Sequence, residues 1–171
     1  HYEAAIRHRP DLASAHNNLG VVLLEQGRLD DALAHLRRAI QIKPGYANAH
    51  NSLGKALIRQ GHPVEAVAEF ETSLRLEPDQ PDAQNNLGGV LWNQGKFADA
   101  LVHCQAAVRV RPDFPEAHFN LGMALAALGR APEAVAEFNL VLKLKPGFAP
   151  AQYHLGMILA GEQKTGDALQ H

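Results

Sequence analysis

The chain has one cysteine, one tryptophan and two methionines in 171 residues, and only 6% of it is aromatic. A lone Cys104 excludes an internal disulfide framework and a cysteine-rich zinc site, and it fits a reducing compartment, so a cytoplasmic setting is favoured. Charge of one sign is also lacking, with 16 Lys and Arg against 18 Asp and Glu and a formal net charge of -2. No long-range field draws in a polyanion, so neither nucleic acid nor an anionic membrane is an expected partner. No apolar run approaches the roughly 18 residues of a membrane span, because ionisable residues interrupt every stretch. His1 to Arg9 lack the charged-then-apolar layout of a signal peptide and read as a helix fragment. Phosphate loops, nucleophile elbows and paired-carboxylate motifs are missing too, so the chain is not expected to be an enzyme and calls for no cofactor.

What the chain has instead is self-similarity. Pro10, Pro44, Pro78, Pro112 and Pro146 recur every 34 residues, as do Leu19, Leu53, Leu87, Leu121 and Leu155. Gly20, Gly54, Gly88, Gly122 and Gly156 keep the same spacing, as do Ala32, Ala66, Ala100, Ala134 and Ala168. Segments 13–46 and 47–80 are identical at 12 of 34 positions, so they are copies of one structural unit. The period divides the chain into the second helix of a truncated repeat (1–12), four complete repeats (13–46, 47–80, 81–114 and 115–148) and a truncated repeat (149–171), all in one continuous domain.

Within a unit the apolar residues have helical period twice, with a break between. His16, Leu19, Gly20 and Leu23 share one face, and Leu29, Ala32, Leu33, Leu36 and Ile40 another, which predicts two amphipathic helices. The break falls at Gly27, Gly61, Gly95 and Gly129, where a residue without Cβ can end a helix in the left-handed conformation. Asp30, Asp31, Glu65, Asp99 and Glu133 then place negative charge in the first turn of the second helix, and Pro63 and Pro132 sit where a missing N–H costs nothing. The Gly20 column lies in mid-helix, where glycine costs about 1 kcal/mol relative to alanine, so close helix approach is expected there.

These residues carry a resemblance. His16-x2-Leu19-Gly20-x2-Leu23, followed by Ala66-x3-Phe70 and Pro78 in the next unit, resembles the tetratricopeptide repeat signature over the whole chain. The family's tryptophan column holds His16, His50, Gln84, His118 and Gln152, and its tyrosine column is leucine throughout. Those His and Gln side chains are expected to find hydrogen-bond partners at the repeat joints. The resemblance implies an all-α solenoid of antiparallel helix pairs, a right-handed superhelical arc whose first helices line a concave groove where protein or peptide partners bind.

The candidate groove columns are Asn17, Asn51, Asn85, Phe119 and Tyr153, with Asn18, Ser52, Asn86, Asn120 and His154 beside them. Val21, Lys55, Gly89, Met123 and Met157 continue the face, as do Leu24, Ile58, Trp92, Ala126 and Ala160. The face is amide-rich first and apolar later. Carboxamides supply both donor and acceptor, so Asn17, Asn18, Asn51, Asn85, Asn86 and Asn120 are expected to pair with the backbone of an extended peptide. Trp92, Phe119, Met123, Tyr153 and Met157 are expected to receive its side chains. The Asn18 column resembles the asparagine ladder in the repeat domain of O-linked N-acetylglucosamine transferases, with Ser52 and His154 as departures. The competing reading is that these amides only solvate a helix face.

Other assignments fare worse. Clamps for the acidic tails of heat-shock chaperones need a set of groove cations, and only Lys55 and Arg59 are obvious here. His16, His50 and His118 are a repeat or more apart, too far to share one ion, so no metal site is expected. Cys104 falls in the column of Leu36, Phe70 and Phe138 and reads as a small buried hydrophobe. The reading is a non-catalytic interaction module that binds an extended segment of another protein. The alternatives are the substrate-recruiting region of a larger O-linked glycosyltransferase, with catalysis beyond His171, and a scaffold that self-associates through the array ends.

Overall fold

The computed structural model describes residues 11–168, with side chains through residue 161. The segment read as a preceding second helix therefore lies, except for Asp11 and Leu12, outside the described residues. Helices follow in sequence as α1 (Ala13–Glu25), α2 (Leu29–Ile42), α3 (Ala47–Gln60), α4 (Pro63–Leu76), α5 (Pro81–Asn93), α6 (Phe97–Val110), α7 (Pro115–Ala127), α8 (Ala131–Leu144) and α9 (Ala149–Ala168). The first helices of successive units begin at Ala13, Ala47, Pro81, Pro115 and Ala149, one sequence period apart. The chain forms two compact units that divide within α5, one ending at Leu87 and the other starting at Gly88. In the first, α1 pairs with α2 and α3 with α4, and α2 packs on α3. In the second, α7 pairs with α8, with α6 and α9 against them.

Each break between paired helices has the same cause. Gly27, Gly61, Gly95 and Gly129 have φ of +77°, +86°, +75° and +74°, a region that L side chains avoid. The next residue closes the helix end, with the N–H of Arg28, His62, Lys96 and Arg130 donating to the carbonyls of Leu23, Leu57, Leu91 and Leu125 at 2.9 Å. This is the Schellman arrangement, and it satisfies a carbonyl the helix would leave bare. Three of these residues then pair with an acid one turn on: Arg28 with Asp31, His62 with Glu65 and Arg130 with Glu133. The hydrogen bond from Arg130 holds the Glu133 carboxyl below its usual value.

The mid-helix glycines mark where each pair closes. A Cβ on Gly20 would lie 2.7 Å from Leu36 Cγ, one on Gly54 2.6 Å from the Phe70 ring, and one on Gly122 2.7 Å from the Phe138 ring. On Gly88 it would lie 2.5 Å from Cys104 Sγ and 3.3 Å from the Ala100 carbonyl oxygen. The partner residues Leu36, Phe70, Cys104 and Phe138 are all fully buried. The helix-propensity cost of these glycines is offset by the contact that their missing side chain allows.

The last unit departs from the expected register. Ala168 shares the column that opens the second helix in the other units, yet it lies in the continuous helix α9. The cause is Gln163, which stands where the other units have their left-handed glycine, and a residue with Cβ disfavours that turn by about 1–2 kcal/mol. A Cβ on Gly156 accordingly meets nothing within 4 Å. Of the apolar residues on this helix, Leu155 and Ile158 pack on the core of the second unit, whereas Tyr153, Met157 and Leu159 are exposed.

Gly88→Leu should destabilise the protein by about 1–3 kcal/mol through overpacking against Cys104 and Ala100. Gly45→Ala, at a loop position whose nearest neighbour is 4.0 Å away, should be close to neutral. Thermal melts of the two variants check this, and coincident midpoints would contradict the helix register.

Candidate functional site

The carbonyls of the periodic prolines, with two glutamates, fix His50 and His118. His50 Nδ1 lies 2.6 Å from Glu69 Oε2 and its Nε2 lies 2.9 Å from the Pro44 carbonyl oxygen. His118 repeats this with Glu137 at 2.6 Å and Pro112 at 2.8 Å. Gln84 and Gln152, in the same column, donate to the carbonyls of Pro78 and Pro146 at 3.1 Å. His16 meets His35, ring nitrogen to ring nitrogen, at 2.9 Å. The column thus ties the turn after one helix pair to the first helix of the next, as expected for polar groups at the joints. Among the described residues no group of three or more His, Cys, Asp or Glu side chains is arranged to hold a metal ion. Cys104 is fully buried, and burial pushes its thiol up to about 12, which makes it a packing residue rather than a nucleophile.

The amide face of the first unit is partly closed on itself. Asn17 and Asn85 are buried, at 6% and 8% exposure, and form the floor of the face rather than its surface. Asn17 Nδ2 donates to Asn18 Oδ1 at 3.2 Å, and Asn17 Oδ1 is buried without a hydrogen-bond partner. Asn51 and Asn86 are half-buried and joined, Asn86 Nδ2 donating to Asn51 Oδ1 at 3.0 Å. Of the two cations, Lys55 is exposed, while the Arg59 guanidinium donates to the Leu24 carbonyl at the end of α1. That bond complements the negative end of the helix and commits Arg59 to structure.

In the second unit, Gly89, Trp92, Asn93, Phe119, Asn120 and Met123 line a cleft of about 200 Å3. Four of these were expected site residues. Gly89 and Asn93 were not, although Gly89 is the one residue of its column without a side chain. Trp92 Nε1 donates to the Met123 carbonyl oxygen at 3.2 Å, and the indole lies 6.1 Å from the Phe97 ring. Phe119 is half-buried, with the rings of Phe138, Phe148 and His154 at 5.8, 5.3 and 5.8 Å. Tyr153 and Met157 are 64% and 58% exposed on α9 and do not line the cleft.

Tetratricopeptide repeat models match residues 1–34, 23–88 and 90–149. The solved structure of YrrB, a TPR protein with an unusual peptide-binding site, is 30% identical with a TM-score of 0.79, over 99% of this chain and 87% of that one. The chain belongs to the tetratricopeptide repeat family. It is also similar to the first TPR of Spaghetti (RPAP3) bound to the HSP90 peptide SRMEEVD, at 26% identity and TM-score 0.67 over 68% of this chain and 93% of that one. PilF of Pseudomonas aeruginosa shares the fold at 24% identity and TM-score 0.83, over 95% of this chain and 74% of that one. No curated protein matches the chain. The comparisons support an all-α TPR solenoid and a protein-interaction module, with no specific link to the glycosyltransferases. No helix among the described residues is long and apolar enough to cross a membrane.

His118→Leu should cost about 1–3 kcal/mol by leaving the Glu137 carboxylate and the Pro112 carbonyl without their donor. His118→Gln keeps the donor to the proline carbonyl, as Gln84 does, and should melt between wild type and the leucine variant. Cys104 should resist a thiol reagent at pH 8 in the folded protein and react promptly in denaturant. Rapid labelling without denaturant would place the thiol at the surface.

Proposed function

We propose that this TPR module binds extended peptide segments on the open faces of its first helices, the asparagines there contacting backbone and the apolar residues side chains. The Asn51–Asn86 bond carries this reading. It uses one acceptor and one donor and leaves Asn51 Nδ2 and Asn86 Oδ1, a donor and an acceptor side by side on a half-buried face. Such a pair matches the alternating N–H and C=O of an extended chain whatever its side chains. The mutual bond also holds both amides in place, so less side-chain freedom is lost on binding. The peptide-binding site of YrrB and the peptide bound to the first TPR of Spaghetti support peptide binding as the use of such a module. An acidic tail of the SRMEEVD kind fits less well, since Arg59 is committed to Leu24 and Lys55 is left as the exposed cation.

The expected ligand contacts at Asn18, Asn85, Asn120, Tyr153 and Met157 belong to this proposal. Tyr153, Met157 and Leu159 favour a second reading as well, because their exposed apolar surface on α9 suits association between copies. Sedimentation across a wide concentration range tests it, and Met157→Lys should lower any association seen.

For the main reading, Asn51→Ala and Asn86→Ala should each weaken unrelated peptides by similar factors. A net hydrogen bond of about 0.5–1.5 kcal/mol corresponds to roughly 2- to 12-fold in affinity. Titration of several peptides selected against the wild-type chain checks this, and unchanged affinities in both variants would place the ligand elsewhere.

A further inference from the structure

Two neighbouring glycines of α5 stand in opposite circumstances. Gly88 is required, because a Cβ there would run into Cys104. Gly89 is not required by packing, since its Cβ would meet only Asn120 Nδ2 at an ordinary 3.5 Å. Nor does the backbone demand it, as the positive-φ glycines lie elsewhere. The corresponding positions carry Val21, Lys55, Met123 and Met157. A glycine in mid-helix lowers helix propensity, and what this one leaves is space: the cleft of about 200 Å3 between Trp92 and the Phe119–Met123 turn.

We propose that the Gly89 cleft is a specificity pocket for one uncharged, apolar side chain, aliphatic or aromatic, of an extended peptide, and that it rejects acidic residues. This deepens the peptide-binding reading and rests on it. Size sets the occupant first. An apolar cavity of about 150 Å3 holds a benzene ring, whereas sites enclosing a drug-sized molecule run to about 300–1,000 Å3, so this cleft fits a single side chain. Chemistry sets it next. Trp92, Phe119 and Met123 supply apolar wall, and no lining residue is charged, so a carboxylate or ammonium placed there would be desolvated without a counter-ion. Asn93, exposed at the cleft, offers a carboxamide for the backbone that carries the anchor.

The walls are also fixed before a ligand arrives. The bond from Trp92 to the Met123 carbonyl satisfies the indole N–H and sets the ring's angle across the gap between α5 and α7. Phe119 is held by the three rings behind it. A pocket with preset walls loses little entropy when filled, the usual property of an anchor site.

Trp92 is the sole tryptophan, so its fluorescence reports on the cleft directly. Peptides should be selected from a random phage-displayed library on the whole chain, resynthesised, and titrated against wild type, Gly89→Ala, Gly89→Leu and the Asn51→Ala, Asn86→Ala double variant. The expected result is a shared aliphatic or aromatic anchor, a blue shift of Trp92 emission on binding, and loss of at least about tenfold in affinity when the anchor becomes Asp or when Gly89→Leu fills the cleft. Gly89→Ala should fall between, and both glycine variants should melt at or above wild type. Peptides that bind without moving Trp92 emission, indifferent to Gly89→Leu but weakened by the asparagine variant, would overturn the pocket and leave the groove reading standing. Peptides indifferent to all variants, or no enrichment at all, would overturn both.

Discussion

In four helix pairs a glycine on the first helix packs directly against one residue on the second. Everything else in a unit is set out from that contact. With no Cβ at Gly20, Gly54, Gly88 or Gly122, the facing Leu36, Phe70, Cys104 or Phe138 fills the space against the helix backbone. The identity of the facing residue is free within limits, because a Phe and a Cys occupy equivalent places. The glycine is not, since a methyl group at 2.5–2.7 Å from a buried neighbour has nowhere to go. Two helical turns further on, the same economy recurs: Gly27 and its copies are needed for φ alone, with open space around them.

The proline carbonyl is the second constraint, and it joins units where glycine joins helices. A proline ends each second helix and exposes its carbonyl to a side chain six residues on, which is His50, Gln84, His118 or Gln152. Histidine adds a second bond, to a glutamate on the following helix. Where the turn carries an aromatic residue, a basic side chain covers the ring, as Lys43 does Tyr46, Arg111 does Phe114 and Lys145 does Phe148. Gln80 breaks that pattern and compensates by bonding Ser73, Asn48 and Glu77. The turns are thus closed by different chemistry in each unit, on one backbone course.

These constraints explain what was legible in the sequence. Period, helix pairs, close approach at the Gly20 column, burial of Cys104 and partners for the His and Gln column all follow from residues that recur, because recurrence reflects a shared backbone demand. The end of the array was not legible in the same way. Ala168 kept its column while Gln163 had lost the glycine that would have turned the chain, and a column match cannot reveal that a different position has ceased to permit the turn. The candidate site was legible as a face and not as a geometry. Helical spacing puts Asn17 and Asn51 in one column, yet one is buried and the other half-buried and bonded to Asn86. Phe119 shares that column with them and is drawn into a cluster of rings that spacing along its own helix could not disclose.

That contrast bears on how such a protein acquires a ligand. Glycines that face a paired helix have their size fixed by a contact, so they carry little information about a partner. On the open side of the first helices the chemistry varies from Val21 to Lys55 to Gly89 to Met123 with no change in helix course. A glycine among them costs helix propensity without relieving any clash, so its value must come from what it leaves open. Adjacent residues Gly88 and Gly89 put the two kinds of position side by side: one is silent because the fold needs it, and the other carries meaning because the fold does not.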